Sequence, residues 1–260
     1  MPGMLRPFRA PPFGPRATGF PPARSPSLPM KRVVAPEMLD SLNPEDPEAL
    51  RNRRDLRLIN GLQGNYRWIY RQLRQLLYPA ERGCEFGAGT GDLGRFLQRK
   101  RGWPENAQLE GIDLWERPPD WPDQWAWQQK NLLDLPRLPY QFVIGNMIFH
   151  QFEDEVLQRW GSLMDRDCRF ILACEPVRRN RHLKQLEFLR PFRLSPVSWH
   201  DARVSIRAGF RHQELPEMLG LDPIRWTIYC RETFLGSYRM LALRKDYLPV
   251  PVEAPEGVPA

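Results

Sequence analysis

Residues 84 to 92 read Cys84-Glu85-Phe86-Gly87-Ala88-Gly89-Thr90-Gly91-Asp92, a strand-like stretch that ends in closely spaced glycines and opens into a helical pattern. Few segments restrict a fold so strongly. Glycine lacks a Cβ, so the backbone can turn sharply and let a ligand lie against it, while free N–H groups of the following helix face the same crevice. In open α/β sheets that crevice, outside the carboxyl ends of the strands, is where nucleotides bind. Glu85 adds a chemical hint, because a carboxylate near the end of a buried strand is costly unless a cationic or donor-rich ligand gives it a partner.

The pattern on either side agrees with such a sheet. After Pro79, short strands alternate with helices, which implies parallel strands covered on both faces. Strands are expected near Gly83 to Phe86, Leu109 to Leu114, Trp125 to Gln129, Phe142 to Asn146 and Phe170 to Cys174, with helices over Asp92 to Lys100 and Asp154 to Met164. Two later β-rich runs, Ile224 to Phe234 and Tyr238 to Arg244, are joined through Gly236 and Ser237 with the spacing of an antiparallel hairpin. Upstream, a short helical segment from Pro36 leads to Asp46 and Pro47, a cap followed by the residue best tolerated in a first helical turn. From Glu48 to Tyr78, Leu50, Leu56, Ile59, Leu62, Tyr66, Ile69, Leu73 and Leu76 recur at helical steps, and Gly61 and Gly64 are expected to break the run into two helices. These helices read equally well as a packed layer or as a lid over a substrate.

A length of 260 residues suits one α/β core plus tails. The 28 prolines crowd toward the two ends, and no acidic residue precedes Glu37, so much of the net charge of +7 belongs to an amino-terminal tail and says little about a site. The expected organisation is a Pro/Arg-rich disordered tail over 1–35, a helical cap over 36–80, a catalytic domain over 81–246 and a Pro-rich tail over 247–260. Cys84, Cys168, Cys174 and Cys230 form no C-x-x-C pair and no His cluster accompanies them, so reduced thiols in a cytosol are expected, with neither disulfides nor a structural metal. No apolar run approaches the roughly 18 residues of a membrane span. Trp103, Trp115, Trp121, Trp125 and Trp127 fit core packing better than the wall of an apolar pocket.

Gly89-Thr90-Gly91-Asp92-Leu93-Gly94 also matches the dinucleotide pattern G-x-G-x-x-G, with Asp113 near the distance of a ribose-binding acid. Three features oppose that reading: Glu85 and Gly87 precede the pattern, a helical layer lies upstream of the first strand, and the sheet finishes in a hairpin.

Glu85-Phe86-Gly87-Ala88-Gly89-Thr90-Gly91 resembles the first motif of the class I S-adenosylmethionine-dependent methyltransferases, and Gly111-Ile112-Asp113-Leu114 resembles the end of their second strand. The resemblance runs from about Pro36 to Arg244. It implies that Glu85, Gly87, Ala88, Gly89 and Gly91 meet the amino-acid part of S-adenosyl-L-methionine, and that Asp113, with Leu114 beside it, holds the ribose. Asn131-Leu132-Leu133-Asp134 is similar to the segment after the third strand, which places Asp134 by the adenine or, equally, makes it a turn or cap residue. Phe142 to Phe152 resembles the fourth-strand motif of the small-molecule enzymes, in which an Asn or Asp precedes a His-His-Phe run. Asn146 then belongs to the cofactor site, Phe149 to the acceptor site, and His150 is the candidate catalytic group; Gln151 replaces the second His. A neutral imidazole there would orient or deprotonate an acceptor hydroxyl, and a core or capping His is the equal alternative. Ala173 to Pro176 and His200 to Phe210 resemble segments of a bacterial polyketide-tailoring subgroup, which makes His200, Asp201 and Arg207 candidate acceptor-site residues on a loop between strands five and six.

The fold so implied is α/β, a Rossmann-like doubly wound, mostly parallel seven-stranded sheet with a C-terminal antiparallel hairpin and an N-terminal helical layer. The implied reaction is methyl transfer to a small-molecule acceptor, at a hydroxyl oxygen, without a metal. Its cofactor carries the reactive methyl group, so the protein has mainly to align the reactants and exclude water. The alternatives are an RNA or protein methyltransferase, although the folded part has no recognisable RNA-binding module, and a non-catalytic cofactor-binding or NAD-binding protein.

Overall fold

The computed structural model describes residues 30–43, 45–188 and 194–246; most of the expected N-terminal tail and the whole expected C-terminal tail lie outside the described residues. Phe142, Val143 and Ile144, like Phe170, Ile171 and Leu172, are all fully buried. Such continuous apolar runs make strands that must be covered on both faces. They become β4 (Phe142–Asn146) and β5 (Phe170–Pro176), which join β1 (Arg82–Phe86), β2 (Gln108–Asp113), β3 (Trp127–Gln129), β6 (Trp226–Glu232) and β7 (Ser237–Arg244) in one sheet. Its spatial order is β3-β2-β1-β4-β5-β7-β6. Strands β1 to β5 run parallel, β7 lies antiparallel to β5, and β6 pairs antiparallel with β7. The strand order reverses between β1 and β4, and the crevice above their carboxyl ends is the ligand position of such sheets.

The period of two along each strand divides the core. Phe142, Ile144, Phe170 and Leu172 point to the face covered by α2 (Asn65–Leu76) and α3 (Asp92–Gln98), packing with Ile69, Leu73, Leu93 and Leu97. Val143, Ile171 and Ala173 point to the other face, against Leu157, Trp160 and Met164 of α4 (Asp154–Asp167) and Leu215 of α7 (Glu214–Met218). Between β5 and β6 also lie α5 (Asn180–Phe188) and α6 (Pro196–Ala208). Helix α3 stops short of Lys100, α4 continues past Met164, and β3 starts at Trp127 because Trp125 turns into the core, 3% exposed.

The upstream helices differ from expectation in three ways. The segment from Pro36 forms only a 3-10 turn at Leu39–Ser41. The long run breaks once, at Gly64, whose φ of +68° ends α1 (Pro47–Gln63) in a left-handed cap, while Gly61 stays inside the helix. Most consequentially, α1 turns Leu50 and Leu62 to solvent, 53% and 59% exposed, and buries Ala49, Asn52, Asp55 and Asn60. Most of these buried polar groups have partners, Asn52 Oδ1 being an exception among the described residues. Asp55 Oδ2 accepts from Ser195 N at 3.0 Å and from Ser198 Oγ at 2.8 Å, and Asn52 Nδ2 donates to Asp201 at 3.2 Å. Asn65 links Asn60 at 3.0 Å to Ser237 at 2.7 Å.

Residues 30–35, expected in the tail, pack with the domain. The Arg32 guanidinium donates to the carbonyls of Ala208 at 2.9 Å and Phe152 at 2.7 Å, and pairs with Asp154 at 2.7 Å. Val33 N donates to Arg207 O at 3.2 Å. A strap from Met30 to Ser41 thus crosses α6 and the turn after β4.

Candidate active site

Strand β1 carries Glu85 toward the crevice and Phe86 into the core, and the loop after it turns through three left-handed glycines, Gly87 at φ +60°, Gly89 at +55° and Gly91 at +74°. A Cβ on Gly87 would lie 2.6 Å from Ile148 and one on Gly91 2.9 Å from Trp121, so these two are held by packing from opposite sides. Gly89 faces open space: a Cβ there would find only the Gly87 carbonyl, 4.0 Å away. That is a backbone cradle against which a ligand can lie.

Asp113, the last residue of β2, fixes the cradle. Its Oδ2 accepts from Gly89 N at 2.7 Å and its Oδ1 from Trp115 N at 3.1 Å. Burial raises its pKa, and these backbone donors oppose the rise. Below the loop, Trp121 and Trp125 are buried and Trp121 packs edge-on to Trp127, so those rings are core, while Trp115 is 40% exposed.

Two buried acceptors at this point have no donor among the described residues, Glu85 Oε2 and Asn146 Oδ1. They stand near the carboxyl ends of β1 and β4, which are neighbours in the sheet. An orphaned buried acceptor costs about 1–3 kcal/mol, so two in one crevice suit a ligand that donates hydrogen bonds or carries positive charge. Burial, with Asp92 and Asp113 nearby, pushes the Glu85 carboxyl well above the usual carboxylate range. A cationic group would reverse that.

The turn after β4 is organised by Glu175, near the end of β5 and fully buried. Its carboxylate accepts from Ile148 N at 3.1 Å, Phe149 N at 3.0 Å and His150 N at 3.3 Å, and it also holds His150 Nδ1 at 2.7 Å. His150 Nε2 lies 3.2 Å from Glu37 Oε1 on the strap. Gln151 at 3.2 Å and Ser205 also hydrogen-bond Glu37. Burial opposes the imidazolium, but the hydrogen bonds and charges of Glu175 and Glu37 override it and raise His150 to about 9. Glu37 moves the other way: burial pushes it up, and the bonds from His150, Ser205 and Gln151 bring it below its ordinary value.

The acceptor-side expectations therefore need correction. His150 is 2% exposed and lies between two carboxylates that raise its pKa to about 9, an environment that favours the imidazolium over the neutral imidazole expected and leaves little of the ring open to a hydroxyl. Phe149 is fully buried against Phe86 and Trp160 and faces the core. His200, Asp201 and Arg207 lie on α6 rather than on a loop. Asp201 is a buried tie, accepting from Met38 N at 2.7 Å, Leu39 N at 3.1 Å and Asn52, with His200 beside it at 3.0 Å. Arg207 is exposed on the last turn of α6. On the cofactor side, Ala88 is buried within the loop, Leu114 is 61% exposed beside Asp113, and Asp134 is exposed in a 3-10 turn, Leu132–Asp134, that Asn131 caps.

The sequence reading missed Glu37, Glu175 and the arginines of α1. Burial lowers the Arg53 guanidinium, and the charge of Asp113 opposes this. Arg57 lies 3.7 Å from Asp92. Glu175 had a visible signal, a carboxylate inside the apolar run Ile171-Leu172-Ala173-Cys174-Glu175.

No protein-family model matches the chain, and no curated protein matches it. Among solved structures it is similar to the plantazolicin methyltransferase BamL in complex with a triazolic desmethylPZN analog and SAH, at 9% identity over 79% of this chain and 92% of that one, with a TM-score of 0.59. A complex of the plantazolicin methyltransferase BpumL gives 12% identity, 76% and 92% coverage and a TM-score of 0.55. The magnesium protoporphyrin IX methyltransferase of Synechocystis PCC 6803 gives 16%, 74% and 83%, and 0.47. At such identities the likeness establishes the fold alone, a Rossmann-like sheet with a C-terminal antiparallel hairpin.

Proposed function

We propose that this chain transfers the methyl group of S-adenosyl-L-methionine to a small-molecule acceptor, most simply at a hydroxyl oxygen. One observation carries the reading: on this fold, Glu85 Oε2 and Asn146 Oδ1, near the loop that holds the open face of Gly89, are buried acceptors without donors among the described residues. A cofactor with an ammonium group and ribose hydroxyls supplies donors of the right kind. The fold's relatives BamL and BpumL carry SAH and desmethylPZN analogs in the structures that resemble this chain, which supports the cofactor and a small, peptide-derived class of acceptor.

When bound, the cofactor supplies an electrophilic methyl group. Gly87, Ala88, Gly89 and Gly91 give it backbone to lie on, Glu85 and Asn146 accept from its amino-acid end, and Asp113 accepts from the ribose while holding Gly89. Leu114 and Asp134 flank the adenine side. Aligning acceptor and methyl group in a dry crevice accounts for several kcal/mol of barrier reduction, about 7–11 in favourable intramolecular cases. His150 enters as a positioning residue: its imidazolium fixes Glu37 and the turn after β4, which borders the methyl side of the crevice.

The test is binding of S-adenosyl-L-methionine or SAH by titration calorimetry, with NAD as comparator and Gly89→Val as the variant. A branched side chain at φ +55° on the open face of the cradle should abolish cofactor binding. Unchanged affinity in a folded Gly89→Val protein, or a preference for NAD, would overturn the reading. A macromolecular acceptor is favoured by one observation, that α1 exposes Arg51 and Arg54 in line with Arg57 beside the glycine loop. Salt-sensitive RNA binding that competes with methyl transfer would select it.

A further inference from the structure

Helices α1 and α2 meet α3 across a cleft of about 350 Å³ lined by Arg57, Tyr66, Asp92, Arg95, Arg99 and Lys100, with Phe96 at its floor. Its charges do not balance. Arg95 is engaged, with Thr90 O at 2.6 Å and with Asp92 and Asp120 in close ion pairs. Lys100 sits over the Phe96 ring at 4.5 Å. Arg57, its side chain 45% exposed, reaches Asp92 only at 3.7 Å, and that carboxylate already belongs to Arg95 and to Thr90 Oγ1 at 2.7 Å. The cleft therefore presents guanidinium groups to an anion it does not itself contain.

The cleft and the glycine loop share the start of α3, where the lining residues Asp92 and Arg95 follow Gly91. Asp92 and Arg95 act electrostatically on Glu85, and Tyr66 feels both Glu85 and Asp92. An orphaned carboxyl that calls for a cation thus lies within electrostatic reach of guanidiniums that call for an anion. The ligand chemistry that satisfies both is an α-amino acid, with ammonium and carboxylate on one carbon. A guanidinium recognises a carboxylate through charge-assisted, often paired hydrogen bonds.

We infer that Arg57 of α1 binds the carboxylate of the cofactor's amino-acid end, which makes α1 part of the cofactor site; this rests on the proposed function. Arg57 lines the cleft with only its 3.7 Å approach to Asp92, and the Tyr66 hydroxyl, kept protonated by burial, is a second donor in the same lining. The polar underside of α1, with Asn52, Asp55 and Asn60 tied to α6 and to Asn65, sets the helix at the height from which Arg57 reaches the loop.

The experiment compares SAH with its decarboxylated analogue, which keeps adenosine, sulfur and ammonium and lacks only the carboxylate. Calorimetry on the full chain should show wild type binding SAH about 10- to 100-fold tighter than the analogue, the range for losing bonds between charged groups. In Arg57→Ala, SAH should weaken by about the same factor while the analogue changes less than about twofold, so that the discrimination collapses. Arg57→Lys should restore part of it. Equal wild-type affinity for the two ligands, or equal weakening of both in Arg57→Ala, overturns the assignment of Arg57 and leaves the methyltransferase reading standing. Binding of neither ligand by wild type overturns that reading and this subsite together. Arg57 is partly exposed on a helix surface, and an unchanged unfolding midpoint of the variant keeps a binding loss from being read as misfolding.

Discussion

His150 stores a measurable pH dependence. The free imidazole titrates near 6.5 and the buried ring near 9, so the folded protein holds its proton more tightly than the unfolded chain. The associated stabilisation is fully present below pH 6.5 and is lost as pH rises from there through 9. A shift of this size corresponds to about 3 kcal/mol, at 1.36 kcal/mol per pH unit. Denaturant unfolding of wild type and His150→Gln from pH 6 to 10 should therefore show a gap in stability that narrows by about 3 kcal/mol toward the alkaline end. Burial raises the Glu85 and Asp113 carboxyls, which slopes stability in the same direction, but both proteins share that slope and it cancels in the difference. Asp40, raised to about 6 by burial and the charges of Glu37 and Asp201, titrates mainly below the window. A gap constant across the range would mean that the ring is neutral in the folded protein. The carboxylate pair would then not hold an imidazolium, and a general-base role for His150 would regain its footing.

Because burial pushes the Glu85 carboxyl above its ordinary range and an ammonium ligand favours its carboxylate, SAH binding should be accompanied by proton release; titrations in buffers of low and high ionisation enthalpy would expose this, and identical apparent enthalpies would refute it. Gly161→Ala, inside α4, should destabilise by about 2 kcal/mol although alanine favours helix by about 1 kcal/mol, because its Cβ would fall 1.6 Å from the Leu219 carbonyl oxygen. A melting temperature at or above wild type would show that the chain around Leu219 yields freely.

The glycine loop, the five parallel strands, the hairpin and the position of Asp113 were legible from residue order because each depends on short-range rules: the period of two, the need for left-handed backbone, and the limited ways a strand can run into a helix. Those rules stop at groups whose partners lie far along the chain. Helix α1 shows the limit most clearly. Leu50 and Leu62 suggested its buried stripe, yet the helix buries Asn52 and Asp55, because Asp55 meets Ser195 and Ser198 about 140 residues away and Asn52 meets Asp201. His150 gives the electrostatic counterpart: an isolated His invites a neutral-base reading, and its proton is decided by Glu37, 113 residues upstream, and Glu175, 25 downstream. Arg32 anchors what composition marked as tail, through Ala208, 176 positions on. The sequence by itself determined the backbone of the glycine loop, since three closely spaced left-handed residues favour glycine, and at Gly87 and Gly91 a Cβ would also collide with Ile148 and Trp121. Tertiary structure alone decided which charges surround it, because the free energy of a buried polar group depends on whichever donor or acceptor the fold brings within about 3 Å.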